Sequence, residues 1–256
     1  MLLTRQMKTR KSLFNYLYVA LCAGLLFGAC SKDDDQTPPE EPKEAFTIIN
    51  EYTKQDTNGV VYVTNYPIDQ TAVLDDAAQS LSGYTYFDFN TNQFVPIDQV
   101  ISPTAWDIAF KGKDGGDIYF NGFGMNNNFY ENPPNGDVRV AYLRGDFDEL
   151  TEVPEESAFT HRYYILRNDE AYASQYFQTW AITEGTATEV TNAIPIENNL
   201  YVFKLTDGRY VKFKMISNYK GGTTEPTEDD YKNNQGYLTF KYYVSEEGSI
   251  DLTTKK

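Results

Sequence analysis

Cysteine, histidine and basic charge are what this chain has least of. Its 256 residues hold 2 cysteines and 1 histidine, and 22 Lys and Arg stand against 37 Asp and Glu. Both cysteines, Cys22 and Cys30, fall near the N-terminus. The body beyond them has no disulfide, no thiol nucleophile and no thiolate metal ligand. A Ser-His-Asp triad would have to use His161, and no G-x-S-x-G elbow supplies the serine. A zinc site with two histidines is excluded within one chain. Gly112-Lys113 and Gly122-Phe123-Gly124 lack the G-K-[ST] continuation of a phosphate loop. No pair of carboxylates is marked out for hydrolysis. Asp146-Phe147-Asp148 lacks the ligand ladder of a calcium loop and reads as a solvated turn. The chain is expected to be no enzyme and to hold no metal of its own. A formal charge of −15 leaves no basic patch for a phosphate backbone, so nucleic acid is not an expected partner. Stability must come from an apolar core, which a chain this long can build.

What is there begins with an address. Arg5, Lys8, Arg10 and Lys11 form a positive start, Leu13 to Phe27 is an apolar run, and Gly28-Ala29 precede Cys30. The run is short of the roughly 20 apolar residues of a membrane span, and this order is that of a secretory signal. Small residues before a cysteine suit lipoprotein processing. Phe27 stands where Leu is usual, and Met7 is an alternative start. Residues 1–29 are therefore read as a lipoprotein signal peptide and Cys30 as the lipidation site. Residues 30–45 follow as a flexible tether, acidic at Asp33-Asp34-Asp35 and too polar to bury. It resembles the surface-export signal of Bacteroidetes lipoproteins. The expected location is the outer membrane, lipid-anchored and exposed at the cell surface.

Residues 46–256 read as one mostly β domain of antiparallel sheets and hairpins. Period-two patterns rich in Tyr, Phe, Val and Thr predict strands over 60–64, 84–89, 94–96, 105–110, 117–121 and 138–143. Further strands are predicted over 162–166, 179–183, 200–205, 210–216 and 237–244, with a short helix over 75–82. Residues 126–136 and 219–236 read as long polar loops. One register can be derived. A three-residue turn, Thr206-Asp207-Gly208 with Gly208 left-handed, sets Phe203 opposite Val211 and Tyr201 opposite Phe213. Lys204, Lys212 and Lys214 then point to the other face, whereas a two-residue turn would mix lysine with core. Trp106-Asp107 reads as a core tryptophan beside a turn-capping aspartate, and Met215 as core.

Three blocks, in order, resemble the HmuY family of haem-binding lipoproteins of Bacteroidetes. The first is Tyr86-Phe87-Asp88-Phe89, then Phe94-Val95 and Trp106-Asp107-Ile108-Ala109-Phe110. The second runs from Phe147-Asp148-Glu149 to Val153-Pro154. The third joins Tyr201-Val202-Phe203, Asp207-Gly208 and Val211-Lys212-Phe213, closed by Gly236 to Tyr242. The resemblance implies a HmuY-like β domain that binds haem and passes it to a TonB-dependent outer-membrane transporter. In the best-known member two histidines grip the iron. One follows a strand that would correspond to Trp180, where this chain reads Ala181-Ile182-Thr183-Glu184-Gly185. A bis-histidine site within one chain is thus impossible. The candidates left are His161, its neighbours Tyr163 and Tyr164, and Met125. The alternative is a non-catalytic module of the same fold that has lost haem and takes another ligand, such as carbohydrate.

The address is testable. Cys30→Ala should abolish labelling by radioactive palmitate and release the protein from the membrane fraction, and persistent label in that variant refutes the lipoprotein reading.

Overall fold

The structure, a computed structural model, describes residues 45–68, 83–100, 102, 104–111, 116–122, 136–160, 164–165, 179–186 and 189–254. The predicted helix over 75–82, and residues 126–135 of the predicted loop, lie outside them. In chain order the strands are β1 (Thr47–Ile48), β2 (Thr53–Gln55), β3 (Val61–Pro67), β4 (Tyr84–Asp88), β5 (Gln93–Val95), β6 (Ile108–Lys111), β7 (Asp117–Phe120) and β8 (Arg139–Arg144). They continue with β9 (Phe159–Thr160), β10 (Tyr164–Ile165), β11 (Ala181–Thr186), β12 (Glu189–Pro195), β13 (Asn199–Lys204), β14 (Tyr210–Tyr219) and β15 (Gln235–Val244).

All ladders are antiparallel. An 8-stranded sheet runs β1-β2-β3-β15-β14-β13-β8-β9, a 5-stranded sheet runs β10-β7-β6-β4-β5, and β11-β12 form a separate hairpin. The predicted β class is what forms. Strands β1, β2, β9 and β12 go beyond the sequence reading, three of them being only two or three residues long. The segment read as a loop over 219–236 is partly ordered. It holds α1 (Glu228–Asn233), started by a capping box in which Thr227 and Asp230 bond each other's backbone N–H.

The two large sheets face each other across one core. Phe87, Phe89, Ile108, Phe110, Ile118 and Phe120 come from the smaller sheet; Val63, Tyr201, Phe203, Phe213, Met215, Phe240 and Tyr242 come from the larger. Ring centroids meet across the gap at 5.3 Å for Phe87–Phe240, 4.8 Å for Phe89–Tyr242 and 5.5 Å for Phe110–Phe240. Met215 is buried here, as read from its place on the strand. The β13–β14 register is the derived one: Tyr201 pairs with Phe213 and Phe203 with Val211, and Gly208 has φ 88°.

The face that carries the lysines is not simply solvated. Val202 and Lys212 are paired on it, and Lys212 is fully buried. The segments 146–153 and 250–254 lie over this face, joined by Leu252 N–H to Thr151 O at 2.8 Å and Val153 N–H to Ile250 O at 3.0 Å. The Lys212 ammonium donates to Leu150 O at 2.9 Å, Leu252 O at 2.7 Å and Thr254 Oγ1 at 3.1 Å. It also lies 4.5 Å from the centre of the Phe147 ring, whose side chain is buried between Lys212 and Lys241. The turn read at Asp146-Phe147-Asp148 is present, with Asp148 N–H on Asp146 Oδ1 at 2.7 Å.

Burial pushes the Lys212 ammonium down to about 8, against the pull of Asp148 and with a smaller push from Lys241. Between pH 8 and 10.5 the folded protein has released this proton while the unfolded chain still holds it, so stability rises with pH in that window. Denaturant unfolding of wild type and Lys212→Met at several pH values should show their difference moving in favour of wild type from pH 8 upward. A pH-independent difference contradicts this placement of the charge.

Candidate functional site

Of the residues chosen from sequence, Cys30, Met125, His161 and Tyr163 lie outside the described residues. Tyr164 opens β10, the edge strand of the 5-stranded sheet, opposite Tyr119. The described strands around them converge. Antiparallel pairing of Tyr164 with Tyr119 and of Ile165 with Ile118 sets the start of β10 beside the end of β7. In the larger sheet Thr160, the end of β9, pairs with Val140 near the start of β8. The chain thus passes between the two sheets twice at this end, from β7 to β8 and from β9 to β10. In sequence, Met125 falls between β7 and β8, and His161 and Tyr163 between β9 and β10.

The first crossover has a closed base. The chain leaves β7 through Asn121-Gly122 and returns at Gly136. Asn121, 1% exposed, donates from Nδ2 to Trp106 O at 2.8 Å and accepts Gly136 N–H on Oδ1 at 3.0 Å. Its own N–H reaches Asp107 O at 2.8 Å and its carbonyl takes Val138 N–H at 2.9 Å. A Cβ on Gly122 would sit 2.4 Å from Val138 O, and one on Gly136 2.5 Å from Asn121 O, so close backbone approach demands glycine at both. The period-two pattern puts Asn121 at the end of a strand. The Asn-Gly step at a strand end was the available signal. A second anchor lies further on, where Trp180 Nε1 donates to Gly116 O at 2.7 Å and Arg144 Nη2 to Thr179 O at 2.8 Å. Among the described residues no group of three His, Cys, Asp or Glu could hold a metal ion, and no helix is long and apolar enough to cross a membrane.

The sequence model of the HmuY protein family matches residues 80–242. The chain belongs to the HmuY family. No curated protein sequence matches it significantly. Among solved structures, it is similar to a candidate lipoprotein from Bacteroides fragilis, with 16% identity over 80% of this chain and 97% of that one, TM-score 0.38. It is also similar to the apo HmuY analog of Tannerella forsythia, with 15% identity over 66% and 93% of the two chains and TM-score 0.38. A third is a candidate HmuY-like heme-binding protein from Bacteroides vulgatus, with 16% identity over 78% and 95% and TM-score 0.33.

Within the span matched to HmuY, Trp106 and Asp107 precede β6 and take the roles expected of them. Trp106 is buried among Tyr84, Tyr86, Val100, Ala109 and Tyr119. Asp107 caps across strands, accepting Phe89 N–H on Oδ2 at 2.9 Å where the β4–β6 ladder ends. It lines a cleft of about 200 Å³ with Asn90, Thr104, Leu205, Thr206 and Asp207. Burial pushes the Asp107 carboxyl up to about 8; the Phe89 N–H pulls it back, and the charges of Asp88 and Asp207 add to the rise. Arg209 faces this group of acids, bonded to Asp207 and to Asn90 Oδ1.

A raised carboxyl pKa stabilises the fold in full below 3.8 and loses that contribution as pH rises toward 8. Asp107→Asn keeps an acceptor for Phe89 N–H and cannot ionise. Between pH 4 and 8, wild-type stability should fall relative to Asp107→Asn in thermal or denaturant unfolding, and parallel pH profiles contradict the assignment.

Proposed function

We propose that this chain is a lipid-anchored cell-surface protein that binds haem or a related porphyrin and delivers it to a TonB-dependent outer-membrane transporter. It acts by binding, without catalysis. Family membership supports the cargo class. The observation that carries the reading for this chain is the convergence of the two sheet crossovers, β7 to β8 and β9 to β10, at one end of the fold. Met125 is three residues past Gly122 and His161 three before Tyr164. Three residues reach at most about 11 Å. A shared site for these donors, with Tyr163 and Tyr164, is part of this reading and is supported by the sequence distance of each from those strand ends.

The donor set matches iron chemistry, since haem iron takes His, Met or Tyr as axial ligands. With one imidazole in the chain, the iron shell is completed by Met125, a tyrosine or water. Thioether sulfur is soft and favours the ferrous state. Lipidation at Cys30 and the acidic tether give the protein its position beside the transporter. Several acyl chains on one cysteine hold it there, at about 0.8 kcal/mol per buried CH₂.

Haem titration of the apo-protein, with and without dithionite, tests this. A Soret shift is expected, with tighter binding of ferrous than of ferric haem. His161→Ala or Met125→Ala should weaken binding about tenfold, a loss of about 1.4 kcal/mol. Undiminished binding in both variants transfers the role to Tyr163 and Tyr164. A bis-histidine spectrum in the monomer contradicts the ligand set, and no Soret change in either redox state refutes haem as cargo.

A further inference from the structure

We infer that the outer face of the 8-stranded sheet, toward its β1–β2 edge, docks onto an anionic lipid surface. The choice of partner rests on the lipid-anchored reading above; the geometry of the face does not. Direct cross-strand pairing lines up five side chains there. Ile48 of β1 opposes Lys54 of β2, and Lys54 opposes Tyr62 of β3. Tyr62 opposes Lys241 of β15, and Lys241 opposes Lys214 of β14. Opposed residues share a face, and strands lie about 4.8 Å apart, so the three lysines stem from a row about 14 Å long. Segments 146–153 and 250–254 cover the same face around Lys212, while Lys54, Tyr62, Lys241 and Lys214 stay partly exposed.

The residue types in and beside the row suit the headgroup level of a bilayer. Ile48 is 69% exposed, the largest exposure of a hydrophobic side chain among the described residues. Lys54 Nζ lies 3.9 Å from the centre of the Phe46 ring, which meets Tyr62 edge-on at 5.9 Å. Lysines with stems on apolar surface, aromatic rings and an exposed aliphatic group together combine electrostatic attraction with shallow insertion. Lys54 and Lys214 form no ion pair among the described residues. The carboxylates beside the row are turned to the protein's own donors. Asp56 accepts from Asn58 N–H, Val60 N–H and Tyr62 Oη; Asp146 accepts Asp148 N–H; Asp148 takes Thr254 Oγ1 and lies 3.8 Å from Lys241. The chain also enters the sheet at this edge: Phe46 immediately precedes β1 and stands sixteen residues after Cys30. Sixteen residues span at most about 55 Å, so a bilayer holding Cys30 is within reach of the row.

Cys30 is the one cysteine of residues 30–256, so a maleimide lipid couples the mature chain to vesicles at that position. The vesicles are phosphatidylcholine alone, or equal parts of phosphatidylcholine and phosphatidylglycerol. Lysine acetylation is then followed residue by residue by mass spectrometry. An anionic surface favours each nearby lysine about fivefold, so Lys54 and Lys214 should react at least about fivefold more slowly on the anionic vesicles. Lys111, over Tyr119 on the other sheet, and Lys232, in α1, should react equally on both. The protection should vanish in about 1 M salt, where the screening length falls to about 3 Å. Ile48→Asp should also remove it, with the fold retained by circular dichroism. Equal reactivity of Lys54 and Lys214 on both vesicles, or equal protection of Lys111 and Lys232, overturns the docking face. Protection on both vesicles that grows with protein density assigns the face to a second copy and overturns the lipid partner. Because the coupling is chemical, docking seen here alongside persistent palmitate label in Cys30→Ala upholds the face and refutes only the natural anchor.

Discussion

Everything in this fold depends on a layer of aromatic rings between two antiparallel sheets. The body has no disulfide to close it, so burial, helped by hydrogen bonds such as Tyr242 Oη to Asn92 Oδ1 at 2.6 Å, holds the sheets face to face. Phe240 lies at the middle of the layer, with ring centroids of Phe87, Phe110 and Phe213 at 5.3, 5.5 and 5.4 Å. Edge-to-face and offset contacts of this kind add about 0.5–1.5 kcal/mol per pair beyond the area they bury. Their geometry also fixes the spacing of the sheets. Once that spacing is set, the chain must cross the gap to continue, as it does from β7 to β8 and from β9 to β10.

Crossing a gap between sheets costs backbone hydrogen bonds, and this chain replaces them with amide side chains. A buried N–H or C=O needs a partner wherever the ladder stops. Asn121 supplies partners at the β7–β8 crossing. Asn199 does so between the β12–β13 turn and β14, bonding Ile196 O as well as Met215. Asn192 reaches Pro226 O at 2.8 Å and ties the β11–β12 hairpin to the segment before α1. An asparagine carries a donor and an acceptor on one short stem, and so stands in for a missing strand residue.

Much of the fold was legible because two-residue periodicity survives wherever one face is buried. The pairing of Phe203 with Val211 follows from hydrophobic pattern plus a turn that places Gly208 at positive φ. The short strands β1, β2 and β9 were not legible, because two or three residues carry no period. The end of 219–236 that became α1 hid behind its polarity: its acids in the first turn and its Thr227–Asp230 box stabilise a helix that buries nothing. Lys212 was placed on the correct face, but its burial there was not legible. Nothing in the pattern around it shows that 146–153 and 250–254 return to cover it.

The sequence by itself determined the β class, the central hairpin register, the family, and the restriction to at most one histidine ligand. Each of these is a matter of local pattern, of motif order or of which side chains exist at all. The tertiary structure alone decided that the end of β7 lies beside the start of β10 and the start of β8 beside the end of β9, and that Asn121 ties the end of β7 to Gly136. Those facts depend on which strands pair at a distance along the chain, as Val140 does with Thr160 and Tyr119 with Tyr164. Such pairings are selected by the summed burial of both sheets, a quantity that no local stretch of sequence contains.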